Sequence, residues 1–495
     1  MDPTPAPSPG FLRRLLKWPG RLLHSAFVVI VGVVLGQQYV NPQKRVIPVL
    51  VAMLATGLVW RVGMVAGLGV LIMALPYPGG TVFGNTNLAL ILILLVIWLL
   101  RITQGLSPAP RRTPVDIPIV GLLIMYMLSF YNVRTQPYLA HGLENFELFA
   151  AAVLMFYMIV SNVRTSRDLE RLNGFMMLSA ASIFALAVYE LNHPAAVFIR
   201  GWIDFTRTTG TEFNTRNVRV GSVFYDFELL SEFCALTIMM AAFHFARANS
   251  LARVLIYGSF MMLNVFVLFA TVTRGAIISL GAGLLYLMWI MRRRLRVVPL
   301  TIIVVTVITS FLAMNFFVAN FTRSGDLVAR LTETHLVNNW MPEDRVDAWT
   351  NGWNRALVHP LIGGGPSYAD LPGLKRLWPH NLYLYYASLV GFPGLLFFLW
   401  MLYKFLRLTR PTVDDLRHPD YPRAYLMICR VQFLIFALNE FKIEYVRSNI
   451  YIFPVWVLFA VWTVTARLSQ AASTAGVAPL ELPIPTSGRL RAMGQ

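Results

Sequence analysis

Charged side chains are scarce in this chain, and their scarcity excludes an ordinary soluble domain. Only 13% of the 495 residues are charged, whereas soluble domains carry roughly a quarter. The chain is 57% hydrophobic and its mean hydropathy is +0.60. Segments such as residues 88–100 and 254–270 are apolar at nearly every position rather than on one helical face only. This pattern is typical of membrane-spanning helices. No alternation with a period of two is present, so the sequence predicts an all-α, polytopic bundle of transmembrane helices.

Cysteine is also scarce. Cys234 and Cys429 are the two cysteines of the chain, and both lie inside apolar segments far apart in the sequence. Two isolated cysteines provide neither a disulfide framework nor a cluster of metal ligands. We therefore expect them to be small core residues, and we expect no metal and no cofactor.

Acidic residues are outnumbered by basic ones, which gives a formal net charge of +18. Such an excess can indicate a nucleic-acid partner. In a membrane protein, however, lysine and arginine accumulate in the cytoplasmic loops. The sequence therefore predicts a lipid bilayer, and no nucleic acid, as the partner of these charges.

Hydropathy predicts about 12 to 14 transmembrane helices. The predicted spans are residues 23–41, 46–60, 62–77, 87–103, 115–131, 144–162, 173–191, 225–246, 252–272, 275–291, 297–319, 380–406, 424–440 and 450–468. With the N-terminus inside, every strongly basic short connection falls on the same side, as the positive-inside rule requires. The topology is therefore consistent with itself.

Two predicted outer segments are much longer than the inner ones. The expected organisation is a cytoplasmic tail (1–22), an N-terminal transmembrane bundle (23–319) with an outer loop at 192–224, a large outer loop (320–379), C-terminal transmembrane helices (380–468) and a cytoplasmic tail (469–495). Long loops without spans of their own are usually functional. We therefore look for chemistry on the outer side.

The richest motif lies between residues 343 and 396. Arg345, Trp349 and Trp353 recur at helical spacing and would share one face of a helix that ends before His359-Pro360. A Gly-rich turn, Gly363-Gly364-Gly365-Pro366, follows. The next span then opens with Pro379-His380-Asn381 and carries Gly391 and Gly394, which permit close packing.

These motifs resemble the signature of the O-antigen ligase and Wzy-type polymerase family. His380-Asn381 with Gly391 and Gly394 at fixed distance is similar to the family pattern, as is the Arg345–Pro366 block. Thr271-x-Thr273-Arg274-Gly275 at another outer span end is similar too, although Thr273 stands where serine is common. The resemblance covers roughly residues 215–405.

The resemblance implies a membrane glycosyltransferase of the bacterial inner membrane with its active site facing the periplasm. Its donor would be an oligosaccharide linked to undecaprenyl diphosphate, and its acceptor another glycan or lipid A core. His380 would be the general base on the acceptor hydroxyl. Arg274 and Arg345 would grip the donor diphosphate, since guanidinium groups bind phosphate oxygens in two places. The transfer would be metal-independent and would invert the anomeric carbon.

Other residues are candidates for substrate binding. Arg219, from the weaker match Arg219-x-Gly221-Ser222, is a further candidate phosphate ligand by this interpretation. Asn381, Trp349 and Tyr383 are predicted to contact the sugar chain, although packing or an interfacial position explains aromatic residues equally well.

Asp226 and Glu228 form an acidic pair at the start of a predicted span. Carboxylates there are costly and therefore candidates for function. They could hold a divalent cation, or they could pair with outer arginines such as Arg219. The salt-bridge interpretation is favoured because arginines are plentiful on this side.

Polymerase and ligase share a donor and differ in the acceptor. Residues 320–379 hold six Lys/Arg and six Asp/Glu, a balance that suits a mostly neutral sugar chain better than a multiply phosphorylated lipid A core. The four arginines of 192–224 favour the opposite choice. The sequence therefore leans to a polymerase. A transporter for lipid-linked glycans is the rival from another class, but internal repeats, which transporters usually show, are missing from the sequence.

Overall fold

The computed structural model describes residues 59–77, 84–192, 220–271, 273–292, 343–367 and 378–475, together with a few isolated positions. Within them the chain is helical apart from a short antiparallel pair, β1 (Gly80–Thr81) and β2 (Gly84–Asn85). The helices are α1 (Met64–Ala74), α2 (Thr86–Thr103), α3 (Asp116–Ser129), α4 (Gln136–Asn162), α5 (Ser166–Asn192), α6 (Phe227–Ala246), α7 (Leu251–Ala270), α8 (Arg274–Met291), α9 (Glu343–Val358), α10 (Leu382–Leu408), α11 (Tyr421–Asn439) and α12 (Ile452–Ala475).

Seven of these helices are long and apolar enough to cross a membrane, namely α4, α5, α6, α7, α8, α10 and α12. Helices α1, α2 and α3 are shorter apolar helices. The protein is therefore a polytopic helical membrane protein, as the composition predicts. The predicted spans 23–41 and 297–319, and most of 46–60, lie outside the described residues.

Helix α12 lies at the centre of the bundle. About 83% of its apolar window is buried, against 17% for α7, so α12 packs against protein while α7 presents most of its surface outward. The ring of Trp456 lies 5.4 Å from that of Phe149 in α4. The ring of Phe459 lies 4.8 Å from that of Phe405 in α10. Aromatic packing therefore joins α4, α10 and α12 into one core.

Helix α10 is interrupted at Gly391, whose φ is 75°. Pro393 has no N–H to donate to the Leu389 carbonyl, and the Phe392 N–H donates instead to the Pro360 carbonyl, at 2.8 Å. The carbonyls of Ser388 and Leu389 consequently lose their helical partners.

The Gly-rich turn after α9 supplies the missing donors. Gly364 N–H donates to the Ser388 carbonyl (2.8 Å) and Gly365 N–H to the Leu389 carbonyl (3.1 Å). A Cβ on Gly363 would lie 2.1 Å from the Leu389 oxygen, so only glycine permits this approach. The turn thereby fixes α9 beside the start of α10.

Candidate active site

Three helix N-termini meet at one end of the bundle. Asp226 caps α6 by accepting from Glu228 N–H (2.8 Å) and Leu229 N–H (3.2 Å). Asn381 caps α10 by accepting from Tyr383 N–H (3.0 Å) and Leu384 N–H (3.1 Å). Thr273, just before α8, donates from its hydroxyl to the Phe227 carbonyl at 3.5 Å. The partial positive charge of each N-terminus favours an anion near this place.

Glu228 connects the two residues that the sequence predicts as base and phosphate ligand. Its Oε1 lies 2.9 Å from Nη2 of Arg345, in the first turn of α9. Its Oε2 lies 3.8 Å from Nδ1 of His380, directly before α10. The Glu228 side chain is 12% exposed, so it is held largely inside the protein. The structure therefore brings Arg345 and His380 together through one carboxylate.

A second ion pair lies on the other side of the histidine. Arg447 Nη1 is 3.4 Å from Asp226 Oδ2 and also 3.4 Å from His380 Nδ1. Burial lowers the pKa of His380 to about 4, and the cations Arg447 and Arg345 lower it further than Asp226 raises it. Burial also raises the pKa of Asp226, against the opposing effect of Arg447. His380 is therefore neutral at pH 7.

The contacts of Asp226 and Glu228 bear on the two interpretations of this acidic pair. Both carboxylates pair with arginines, as the salt-bridge interpretation predicts, but the partners are Arg345 and Arg447. Arg219 lies outside the described residues. In the described part of the chain, no group of three or more His, Cys, Asp or Glu side chains has an arrangement that could hold a metal.

Buried carboxylates fix the loop between α11 and α12 against α10. Glu444 Oε1 accepts from the Asn381 N–H at 2.9 Å, and burial raises the pKa of Glu444 to about 7. Glu440 Oε2 accepts from the Tyr445 N–H at 3.2 Å, and burial raises its pKa as well. These bonds place Arg447 beside His380.

Lys442, in the same loop, lies across the N-terminus of α8. A Cβ on Gly275 would lie 2.1 Å from the Lys442 Nζ, so the glycine leaves room for the lysine. Burial lowers the pKa of Lys442 to about 8, although Glu228 and Glu232 oppose that shift. Within the described residues its ammonium forms no ion pair. Lys442 is thus a half-buried cation beside Gly275, the residue that follows Arg274.

Two of the residues predicted to bind substrate have structural contacts. Asn381 is occupied as the cap of α10. The Tyr383 hydroxyl donates to the Ala437 carbonyl at 3.0 Å, and its ring lies 4.6 Å from that of Phe441. Trp349 lies one turn after Arg345, and its indole N–H is buried without a hydrogen-bond partner in the described part. A role of these three residues in sugar binding stays a prediction.

The contacts of Lys442 with Gly275 and of Arg447 with His380 could not be predicted from the sequence. Lys442 and Arg447 both lie in the last predicted outer loop, where nothing in their spacing shows a contact with His380 or Gly275. The available signal was their position alone, because basic residues on the outer side run against the positive-inside trend.

The fold and the site together define a helical membrane protein with a cluster of cations, carboxylates and one histidine at one end of its bundle. Residues 259–399 match the family profile described as O-antigen ligase. The matched segment is less than a third of the chain, and its similarity to this family confirms the resemblance drawn from the motifs. A search of curated proteins finds no match. The profile includes Arg274, Arg345 and His380, whereas Glu228 and Arg447 lie outside it.

Proposed function

We propose that this protein is a glycosyltransferase that takes a glycan from an undecaprenyl-diphosphate carrier at the periplasmic face of the bacterial inner membrane. The observation that supports it best is the placement of His380 between two guanidinium groups and one carboxylate. A dianionic leaving group needs fixed cations, and an acceptor hydroxyl needs a base within reach. Both kinds of group meet at this site.

Arg274, Arg345, Arg447 and Lys442 would bind the donor diphosphate. Of these, Arg345 and Arg447 form ion pairs with carboxylates, so the phosphates would take over part of those interactions. Guanidinium and ammonium groups can neutralise the leaving group on their own, so the proposed reaction is metal-independent.

His380 would remove the proton of the acceptor hydroxyl. Nδ1 of His380 lies near both Arg447, which can only donate to it, and Glu228, which can only accept from it. Once the donor diphosphate draws Arg447 away, a hydrogen on Nδ1 would be donated to Glu228, and Nε2 would be free as the base. The acceptor oxygen then attacks the anomeric carbon, the bond from that carbon to the diphosphate oxygen breaks, and the proton remains on Nε2. Undecaprenyl diphosphate leaves with the bonding electron pair, and the attack from the opposite face inverts the anomeric carbon.

Donor binding would also prepare the base. Burial and, after it, the positive charges of Arg447 and Arg345 depress the pKa of His380. Anionic phosphates beside those arginines cancel part of that effect, so the pKa of His380 rises toward the working pH. The histidine would thus be a better base when the donor is present.

An in vitro reaction tests this function. Purified protein is incubated with an undecaprenyl-diphosphate-linked oligosaccharide, and release of free carrier and lengthening of the glycan are measured. His380→Ala should lower turnover at least about 100-fold, the usual contribution of a general base. His141→Ala, at an exposed histidine in the first turns of α4, should leave turnover unchanged. A wild-type protein that binds donor but releases no carrier would favour a transporter.

We further propose a polymerase rather than a ligase. The supporting observation is the balance of six basic and six acidic residues in 320–379. Deletion of the gene should leave lipid A core intact and should remove long chains, with single repeat units accumulating on the carrier. Full-length chains that stay on undecaprenyl diphosphate in the deletion strain would instead identify a ligase.

A further inference from the structure

A large cavity lies at the opposite end of the bundle from His380. Its volume is about 840 Å³, and its walls come from the ends of α8 and α10, the connection after α10, and one side of α11. Helices α8 and α10 both begin at the candidate active site, so their final turns lie a full membrane span away from it. We call this space the basal cavity.

The lining of the basal cavity is strongly cationic. Arg292, Arg407, Arg410 and Arg430 face a single acidic lining residue, Asp414. None of the four arginines forms an ion pair with a carboxylate among the described residues. The cavity therefore carries an excess of positive charge that its own walls do not neutralise.

Arg430 is the most informative of these arginines because it lies inside a helix rather than in a loop. It is the tenth residue of α11 and is half-buried. Its Nη1 donates to the Leu406 carbonyl and its Nε lies 3.4 Å from the Tyr286 hydroxyl. These bonds account for two of its nitrogens, and Nη2 has no hydrogen-bond partner in the described part of the chain. A charged residue inside a membrane-spanning region is costly unless it is paired, and such residues often mark functional sites.

Aromatic side chains form one wall of the basal cavity. The rings of Tyr286 and Trp289 stack at 5.7 Å with an angle of 27°. The guanidinium of Arg292 lies 4.9 Å from the Trp289 ring centroid. Ile290, Leu406 and Val413 add apolar surface to the lining. Cations beside tyrosine, tryptophan and aliphatic surface suit a ligand that is anionic at one end and apolar at the other.

We propose that the basal cavity binds the phosphodiester of an anionic phospholipid headgroup, with the acyl chains directed along the apolar wall. Arg430 and Arg410 would contact the phosphate oxygens. Basic pockets between transmembrane helices commonly hold acidic headgroups in this way. A small soluble phosphate shares the headgroup chemistry but lacks the acyl chains, so experiments can separate the two sources. This site is independent of the glycosyl transfer proposed above.

The test compares the full-length protein in nanodiscs of phosphatidylcholine alone and of phosphatidylcholine with phosphatidylglycerol. Wild type should melt at a higher temperature with phosphatidylglycerol and should retain it in native mass spectrometry after extraction. Arg410→Gln and Arg430→Gln should each lower retention about tenfold, the loss expected for one charged hydrogen bond. Arg253→Gln, at an exposed arginine near the same end of the bundle, is the matched control and should bind like wild type.

Three outcomes would overturn the proposal. The first is that Arg410→Gln retains as much phosphatidylglycerol as wild type. Because Arg410 is exposed, its substitution should not disturb folding. The second is an equal loss in Arg253→Gln, which would show a general surface effect. The third is full stabilisation by glycerol phosphate or inorganic phosphate without lipid, which would identify a soluble ligand.

Discussion

At the scale of single residues, the candidate site depends on contacts between groups that are distant in the chain. Arg345 and Glu228 are 117 residues apart, and Arg447 and His380 are 67 apart. Motif spacing within one segment could nominate Arg345 and His380, because each lies in a local pattern. It could not find Glu228 and Arg447 as their partners, because the packing of helix ends decides those contacts.

The surroundings of His380 predict a shift in the pH dependence of transfer. Burial and the cations Arg447 and Arg345 hold its pKa at about 4, and a base works only when it is unprotonated. Arg447→Gln removes one cation, so the pKa should rise and the acid limb of kcat/KM should move to higher pH by about one unit. The profile is measured from pH 3.5 to 8, with Arg253→Gln as control. If the acid limb of kcat/KM stays at the same pH in Arg447→Gln as in wild type, a group other than His380 controls that limb.

The contact between Gly275 and Lys442 predicts non-additive substitutions. Gly275→Ala places a methyl group where the Lys442 ammonium lies and should lower kcat/KM for donor about tenfold, the value of one charged hydrogen bond. Lys442→Ala should do the same, and the double variant should be no worse than Lys442→Ala alone. Gly281→Ala, later in α8 with open space around its Cβ, is the control. Additive losses would show that the two residues act separately.

At the scale of helices, hydropathy locates the elements well because a span must be long and apolar. Eleven of the fourteen predicted spans coincide with described helices. Their ends are less predictable: α4 begins at Gln136, eight residues before the predicted span, because its first turns are polar. The interruption at Gly391 could not be read from hydropathy, since it depends on a turn that precedes α10 in the chain.

The interruption of α10 at Gly391 predicts that one added methyl group at this position lowers the stability of the protein. In Gly391→Ala, the Cβ would lie 2.6 Å from the Leu361 carbonyl oxygen, at a φ of 75° that alanine rarely adopts. The protein should lose about 1–3 kcal/mol of stability, visible as a lower thermal midpoint in detergent. Gly174→Ala in α5 has open space and should melt like wild type or slightly higher. Equal midpoints for the two variants would contradict the described docking.

At the scale of the whole molecule, the orientation across the membrane is a prediction that helix α4 allows to be tested. Its 27 residues separate two exposed threonines, Thr135 before its start and Thr165 after its end. The native cysteines are buried, so they should not interfere. In intact cells with a permeable outer membrane, Thr135→Cys should react with an impermeant maleimide and Thr165→Cys should react only after lysis. The reverse pattern would invert the topology.

The docking of the Gly-rich turn on α10 also has a consequence for how the protein is made. Ser388 lies roughly 10 Å along the axis from the start of α10, and its carbonyl is satisfied by Gly364, which leaves the ribosome earlier. In the predicted orientation, the segment 359–365 crosses to the outer side before α10 enters the bilayer. Only then can the Ser388 and Leu389 carbonyls accept hydrogen bonds from the Gly364 and Gly365 N–H groups, because lipid offers no donor. Insertion of α10 and completion of the outer segment should thus be a single, late step of biogenesis, and a chain truncated just before α10 should present that segment to proteases.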